Sequence, residues 1–172
     1  LGQLYLEKNQ FEQAIDPLDK AAELAPEDPR PFAKLAKALI AQDRLDEAEE
    51  IARAAANLDP KDKWSIMTIA DNFLNLQKPW EALPWTRILV EHDPDNFKLH
   101  IKRANAFIGA GLQGQAATFA RHALHLAPDR PVTYRVLAQS LLGSSKWDEA
   151  LEVVEQGLQD FPQALMLITQ KA

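Results

Sequence analysis

Residues 29–62 read PRPFAKLAKALIAQDRLDEAEEIARAAANLDPKD, and the pattern of this stretch returns along the whole chain at a constant spacing. Proline marks the beat at Pro26, Pro60, Pro94, Pro128 and Pro162, and alanine keeps it at Ala14, Ala48, Ala82, Ala116 and Ala150. Each step is 34 residues (60 − 26, 48 − 14), and each alanine precedes its proline by 12 (26 − 14). A fixed period of this length marks a solenoid built from small supersecondary units. One such unit cannot bury its apolar face alone, so consecutive units must stack.

Within the quoted stretch, apolar residues fall at Leu35, Ala36 and Leu39, then at Ala48, Ala52, Ala55 and Ala56. Spacings of three and four define two amphipathic helices per unit, A and B. No period-2 alternation persists, which excludes strands. With Pro60 counted as position 32, full repeats run 29–62, 63–96, 97–130 and 131–164. A partial repeat, 1–28, precedes them, and 165–172 (LMLITQKA) reads as the start of a further A helix. The whole of 1–172 is therefore expected to be a single array, a piece of a longer chain or one that pairs end to end.

Start and stop signals agree with this division. Helix A is expected after Asp28, Asp62 or Asn96, whose side chains accept from free N–H groups, with Pro29 and Pro131 at a first helical position. Helix B is expected after Asn9, Asp43 and Ser145, with Glu12, Asp46 and Asp148 three residues on, at capping-box spacing. The periodic proline ends helix B, because the residue before proline disfavours the α region. Pro17 and Pro84 fall inside B helices, which must then start late or kink.

Composition narrows the function. The chain has 172 residues, 47% of them hydrophobic and 26% charged, with a formal net charge of −6. This acidic balance argues against nucleic acid, whose phosphates demand a surplus of Lys and Arg. The absence of Cys removes thiolate catalysis and Cys-ligated zinc, and it is compatible with cytoplasm or bacterial periplasm alike. No run of 18 or more apolar residues offers a membrane span.

These residues resemble the tetratricopeptide repeat family, whose unit is a 34-residue helix–turn–helix. The match runs through Leu1-Gly2…Tyr5…Phe11…Ala14…Ala21…Pro26 and recurs through Trp147…Ala150…Pro162, with small residues at position 8 (Gly2, Ala36, Ala70, Ala104, Ala138). The resemblance implies an all-α, right-handed superhelical solenoid. The pentatricopeptide repeat, an RNA-binding neighbour, has the wrong period. Arg103 stands where leucine is usual in the family, His92 takes a normally apolar position, and Pro79 replaces an aromatic.

Other motifs invite chemistry. Gly109-Ala110-Gly111-Leu112-Gln113-Gly114 spells a dinucleotide fingerprint, but a helix precedes it instead of a strand, so the glycines read as the A–B turn. His122 and His125 lack a third ligand and read as surface residues, with no metal implied. His100 and Arg103 share one helical face, as a local repacking of the layer or as a buried polar contact to a ligand. No serine, histidine and aspartate grouping or paired carboxylate suggests a catalytic residue, and no cofactor is expected.

In tetratricopeptide arrays the A helices line a concave groove, with positions 2, 5, 9 and 12 pointing into it. Carried onto this chain, the resemblance implies Arg30, Ala33, Lys37 and Ile40; Trp64, Met67, Asp71 and Leu74; Lys98, Ile101, Asn105 and Ile108; and Val132, Arg135, Gln139 and Leu142. Trp and Arg are favoured anchors of binding energy, and Met adapts to irregular partners. The expected function is a non-catalytic scaffold that holds a peptide or helix of a partner protein, acidic or amphipathic, in this groove. The alternative is the recognition arm of a larger enzyme, such as a transferase, with its catalytic domain elsewhere.

Overall fold

A computed structural model describes residues 1–60 and 62–162. Ten helices lie among them: α1 (Gly2–Glu7), α2 (Phe11–Leu24), α3 (Pro29–Ala41), α4 (Leu45–Leu58), α5 (Lys63–Asn75), α6 (Pro79–His92), α7 (Phe97–Gly109), α8 (Gln113–Leu126), α9 (Pro131–Gly143) and α10 (Trp147–Asp160). No strand occurs among the described residues. The complete A helices, α3, α5, α7 and α9, each have 13 residues, and the B helices each have 14. The expected further helix over 165–172 lies outside the described residues.

The caps of the A helices follow the sequence. The carboxylates of Asp28 and Asp62 accept from the backbone N–H of Arg30 and Trp64, and the Asn96 amide oxygen accepts from Lys98. Asp28 also holds the Arg30 guanidinium in a fork, Nε to Oδ1 and Nη2 to Oδ2, both at 2.8 Å. These bonds from Arg30 keep the Asp28 carboxyl below its ordinary pKa. At the other end, B helices stop two residues before each periodic proline, and the residue between them leaves the α region (φ −135° at Ala25, −143° at Ala127).

The A–B turn differs from expectation. Asn9, Asp43 and Ser145 are not the caps of helix B. They occupy the left-handed region, with φ of 56°, 58° and 58°, together with Gln77 at 55° and Gly111 at 76°. Each is the residue after the A-helix C-cap. Behind it the chain makes the reciprocal bonds of a Schellman motif: Asp43 N donates to Ile40 O, and Arg44 N to Leu39 O. The same pair recurs in all five turns, as in Leu112 N to Phe107 O and Lys146 N to Leu141 O. Helices α2, α4, α8 and α10 then begin without any side-chain cap. Asn, Asp and Ser favour both roles, and the A helix claims them first. The glycine run at 109–114 is this same turn, Gly111 supplying its left-handed residue. Helices α2 and α6 run through Pro17 and Pro84 without starting late.

The chain forms two compact units, one over residues 1–92 and one from residue 93. In the first, α2 packs on α3, α3 on α4 and α5, and α5 on α6, whereas α4 touches α5 only lightly. Its core includes Leu35, Leu39, Ile66, Ile69, Phe73 and Leu89. Gly2 lets α1 approach α2 closely, since a Cβ there would sit 2.6 Å from Leu18 Cγ. In the second unit, α8 packs broadly on both α7 and α9, around Ala104, Ala117, Ala120, Val136, Leu137 and Leu141. Alanines at these contacts are fully buried and allow the backbones to close on one another.

Candidate functional site

The first unit carries Arg30 and Lys37 on α3, and Trp64, Met67 and Asp71 on α5. Trp64, Met67 and Asp71 are three and four residues apart and so share one helical face. Trp64 is 47% exposed, a large outlay of apolar surface to leave in water. Lys34 Nζ lies 5.7 Å from its ring centroid, bringing a cation from α3 over the aromatic on α5. Met67 and Asp71 are half-buried. Arg30 remains exposed but is engaged by its own cap, Asp28. Two positions depart from the expected groove set. Ala33 and Ile40 are buried, packed into the unit instead of lining a surface.

The second unit carries Lys98, Ile101 and Asn105 on α7, and Arg135 and Gln139 on α9. Lys98, Asn105, Arg135 and Gln139 are exposed. Ile101, Ile108 and Val132 are partly buried against the core cluster, so most of their apolar surface is already used. Polar reach in this unit therefore comes from Lys98 and Asn105 on α7 and from Arg135 and Gln139 on α9.

His100 and Arg103 form a feature of their own in this unit. His100 is 4% exposed, and its Nε2–H donates to the Pro94 carbonyl at 2.6 Å, because a carbonyl can only accept. Its Nδ1 is buried without a hydrogen-bond partner among the described residues. The His122 ring lies 4.4 Å away, centroid to centroid. Burial, with His122 and Arg103 adding repulsion, holds the His100 pKa below its ordinary value, against the pull of the Pro94 carbonyl and Asp95. Arg103 lies over both phenylalanine rings of the layer, 4.9 Å from Phe107 and 4.8 Å from Phe119. This is a repacked layer, in which a guanidinium fills the place of an aliphatic side chain. His122 and His125 are exposed, their rings 6.5 Å apart. Among the described residues no group of three or more His, Asp or Glu is placed to hold a metal ion. No helix of the described residues is long and apolar enough to cross a membrane.

Two-helix units on a 34-residue period, each closed by the same turn, define an all-α solenoid of tetratricopeptide repeats. A family described as "Tetratricopeptide repeat" matches residues 1–65. No protein of curated function matches the chain. Among solved structures, MamA (residues 41 to the end) from Desulfovibrio magneticus RS-1 superposes with a TM-score of 0.68 at 18% identity, covering 92% of this chain and 90% of that one. A second MamA crystal structure gives 0.71 at 15% identity, covering 94% and 88%. YrrB, described as a tetratricopeptide-repeat protein with an unusual peptide-binding site, gives 0.70 at 17% identity, covering 99% and 89%. At these identities the likeness is one of fold.

Proposed function

We propose that this chain is a non-catalytic interaction scaffold that holds a peptide or helix of a partner protein against its A helices. The observation that carries the reading is Trp64. A solenoid unit has no structural need to leave a tryptophan half in water, and this ring sits with Met67 on one face and under the Lys34 ammonium. Aromatic anchors on a rigid helix are the residues around which binding energy concentrates. Lys37, Lys98 and Arg135 add cations to A helices of a chain that is acidic overall, which suits an acidic or amphipathic partner and speeds its approach. YrrB, with its peptide-binding site, supports the class of ligand.

The test starts from peptides selected out of a random displayed library on the intact chain, with affinity read by calorimetry. Trp64→Ala is expected to weaken a selected peptide by about 30-fold, the scale of a hot-spot residue, and Arg135→Glu to weaken an acidic one by about tenfold. Glu50→Lys and Glu155→Lys, on B helices, should leave the affinity unchanged. The opposite ranking would move the site off the A helices.

A further inference from the structure

Helix α10 is amphipathic on the side it shows to water. Trp147 and Leu151 are 63% and 58% exposed. Half-buried Val154 and Leu158 continue their line at spacings of three and four, so the four side chains form one stripe. On one side of the stripe, Ala150 joins the core with residues of α9, and Gly157 is buried. On the other side stand Asp148, Glu152 and Glu155, each one residue on from a member of the stripe. All three are exposed and have no hydrogen-bond or ion-pair partner among the described residues. The helix as a whole has five carboxylates and no cation. An apolar stripe bordered by unpaired charge of one sign suits a surface that is partly apolar and of the opposite sign.

Helices α3 and α5 carry such a surface. Helix α3 has three cations and no carboxylate. Arg30 is satisfied by Asp28, but Lys34 and Lys37, three residues apart and so on one face, have no carboxylate partner among the described residues. Lys34 lies instead over the Trp64 ring, and the Asp28 whose field it shares is spent on Arg30. Beside these lysines, half-exposed Trp64 and half-buried Met67 supply the apolar part. Asp71, the carboxylate of α5, is already engaged within the chain. A cationic ligand would meet two ammonium groups here. A neutral apolar one would cover Trp64 and strip water from Lys34 while returning no charge.

We propose that α10 of one copy docks on the α3–α5 face of a second copy, with Trp147 and Leu151 against Trp64 and Met67, and Glu152 and Glu155 toward Lys34 and Lys37. The inference rests on the A-helix reading above and gives that face an occupant which the chain itself supplies. Because helix and face are different surfaces, the contact is heterologous. A bound pair still offers one free α10 and one free face, so association continues head to tail. Few large apolar side chains meet, and the charges lie at the rim, so the contact is weak and sensitive to salt.

Sedimentation equilibrium of the intact chain should give a mass that rises with concentration, with association about tenfold weaker in about 0.5 M salt than in about 0.05 M. Lys34→Glu with Lys37→Glu disables the face, and Glu152→Lys with Glu155→Lys disables α10. All four are surface changes, checked for intact folding by circular dichroism. Each pair alone should leave a monomer. Mixed, the two variants should form a one-to-one dimer and nothing larger, since one working face and one working helix remain between them. All four changes on one chain should restore head-to-tail association. A wild-type chain still monomeric at about 1 mM would overturn the proposal. So would association that ignores salt, association that survives Lys34→Glu with Lys37→Glu, or a mixture that yields no dimer. A peptide selected on the A helices should bind the Glu152→Lys, Glu155→Lys variant as it binds the wild type. A chain that binds such a peptide yet never self-associates therefore sinks the self-association alone, whereas loss of the peptide site would sink the A-helix reading.

Discussion

The third and fourth repeats place different chemistry on the same skeleton, one in each unit. At five equivalent positions the third repeat has Ile66, Ile69, Phe73, Trp85 and Ile88, and the fourth has His100, Arg103, Phe107, Phe119 and His122, each pair 34 apart (100 − 66, 103 − 69 and onward). The backbone scarcely registers the change: α5 and α7 have the same length, the same Asx cap and the same Schellman turn. The first layer is aliphatic and aromatic. The second holds an imidazole with an orphan nitrogen and a guanidinium over two rings. A period dictates where helices start and stop, then, while the chemistry between them stays open to variation.

The largest effect should come from forcing the second chemistry onto the first layer. Ile69 is fully buried in a layer packed around an aliphatic side chain, so Ile69→Arg should cost roughly 4 kcal/mol or more in urea unfolding. A cost below about 1 kcal/mol would show that the aliphatic layer tolerates charge and that the comparison is empty. Next is Arg103→Ala, which removes a stem packed on two rings as well as a charge. About 2 kcal/mol is expected, against less than about 0.5 kcal/mol for Lys34→Ala, whose ammonium meets an exposed ring at 5.7 Å.

The turns sharpen the comparison from another side. Gln77 and Gly111 fill equivalent left-handed positions in the two units. A Cβ at Gly111 would meet nothing within 4 Å, so Gly111→Ala tests the backbone alone and should cost about 1 kcal/mol. Gln77→Gly should gain about the same, read as a higher midpoint of thermal unfolding. The smallest effect is a slope with pH. The His100 pKa is lowered in the folded chain, so the unfolded chain binds its proton first. Stability is then complete above about pH 6.5 and falls as pH drops from there toward the folded value. His100→Leu should flatten that slope in melts between pH 7.5 and 5. An unchanged slope would place the titration elsewhere.

Much of the fold was legible in the sequence because each signal was repeated. Asp28, Asp62 and Asn96 could be read as caps since each begins an apolar-periodic run, and the prolines ended their helices where the preceding residue had to leave the α region. Asn9, Asp43 and Ser145 were misread because the same short polar side chains suit an N-cap and a left-handed turn. The missing clue was positional: Gly111 stands in their series, and glycine there signals positive φ. Ala33 and Ile40 were assigned to a surface by position number, but small and branched apolar residues at that spacing were taken up by neighbouring helices.

The left-handed residue at every A–B turn fixes more than a bend. It locks the rotational phase of each helix to its number in the chain, because each residue turns an α-helix by about 100°. Excising any block of 34 residues would rejoin the strand in phase, whatever the point of cutting, and every buried alanine would again face its partner. Excising 33 would swing the downstream half of the cut helix by about 100° and turn its alanines away from their partners. Copying and loss in whole units is thus the mode of inheritance that this backbone tolerates, and single-residue slips inside a helix are the mode it resists.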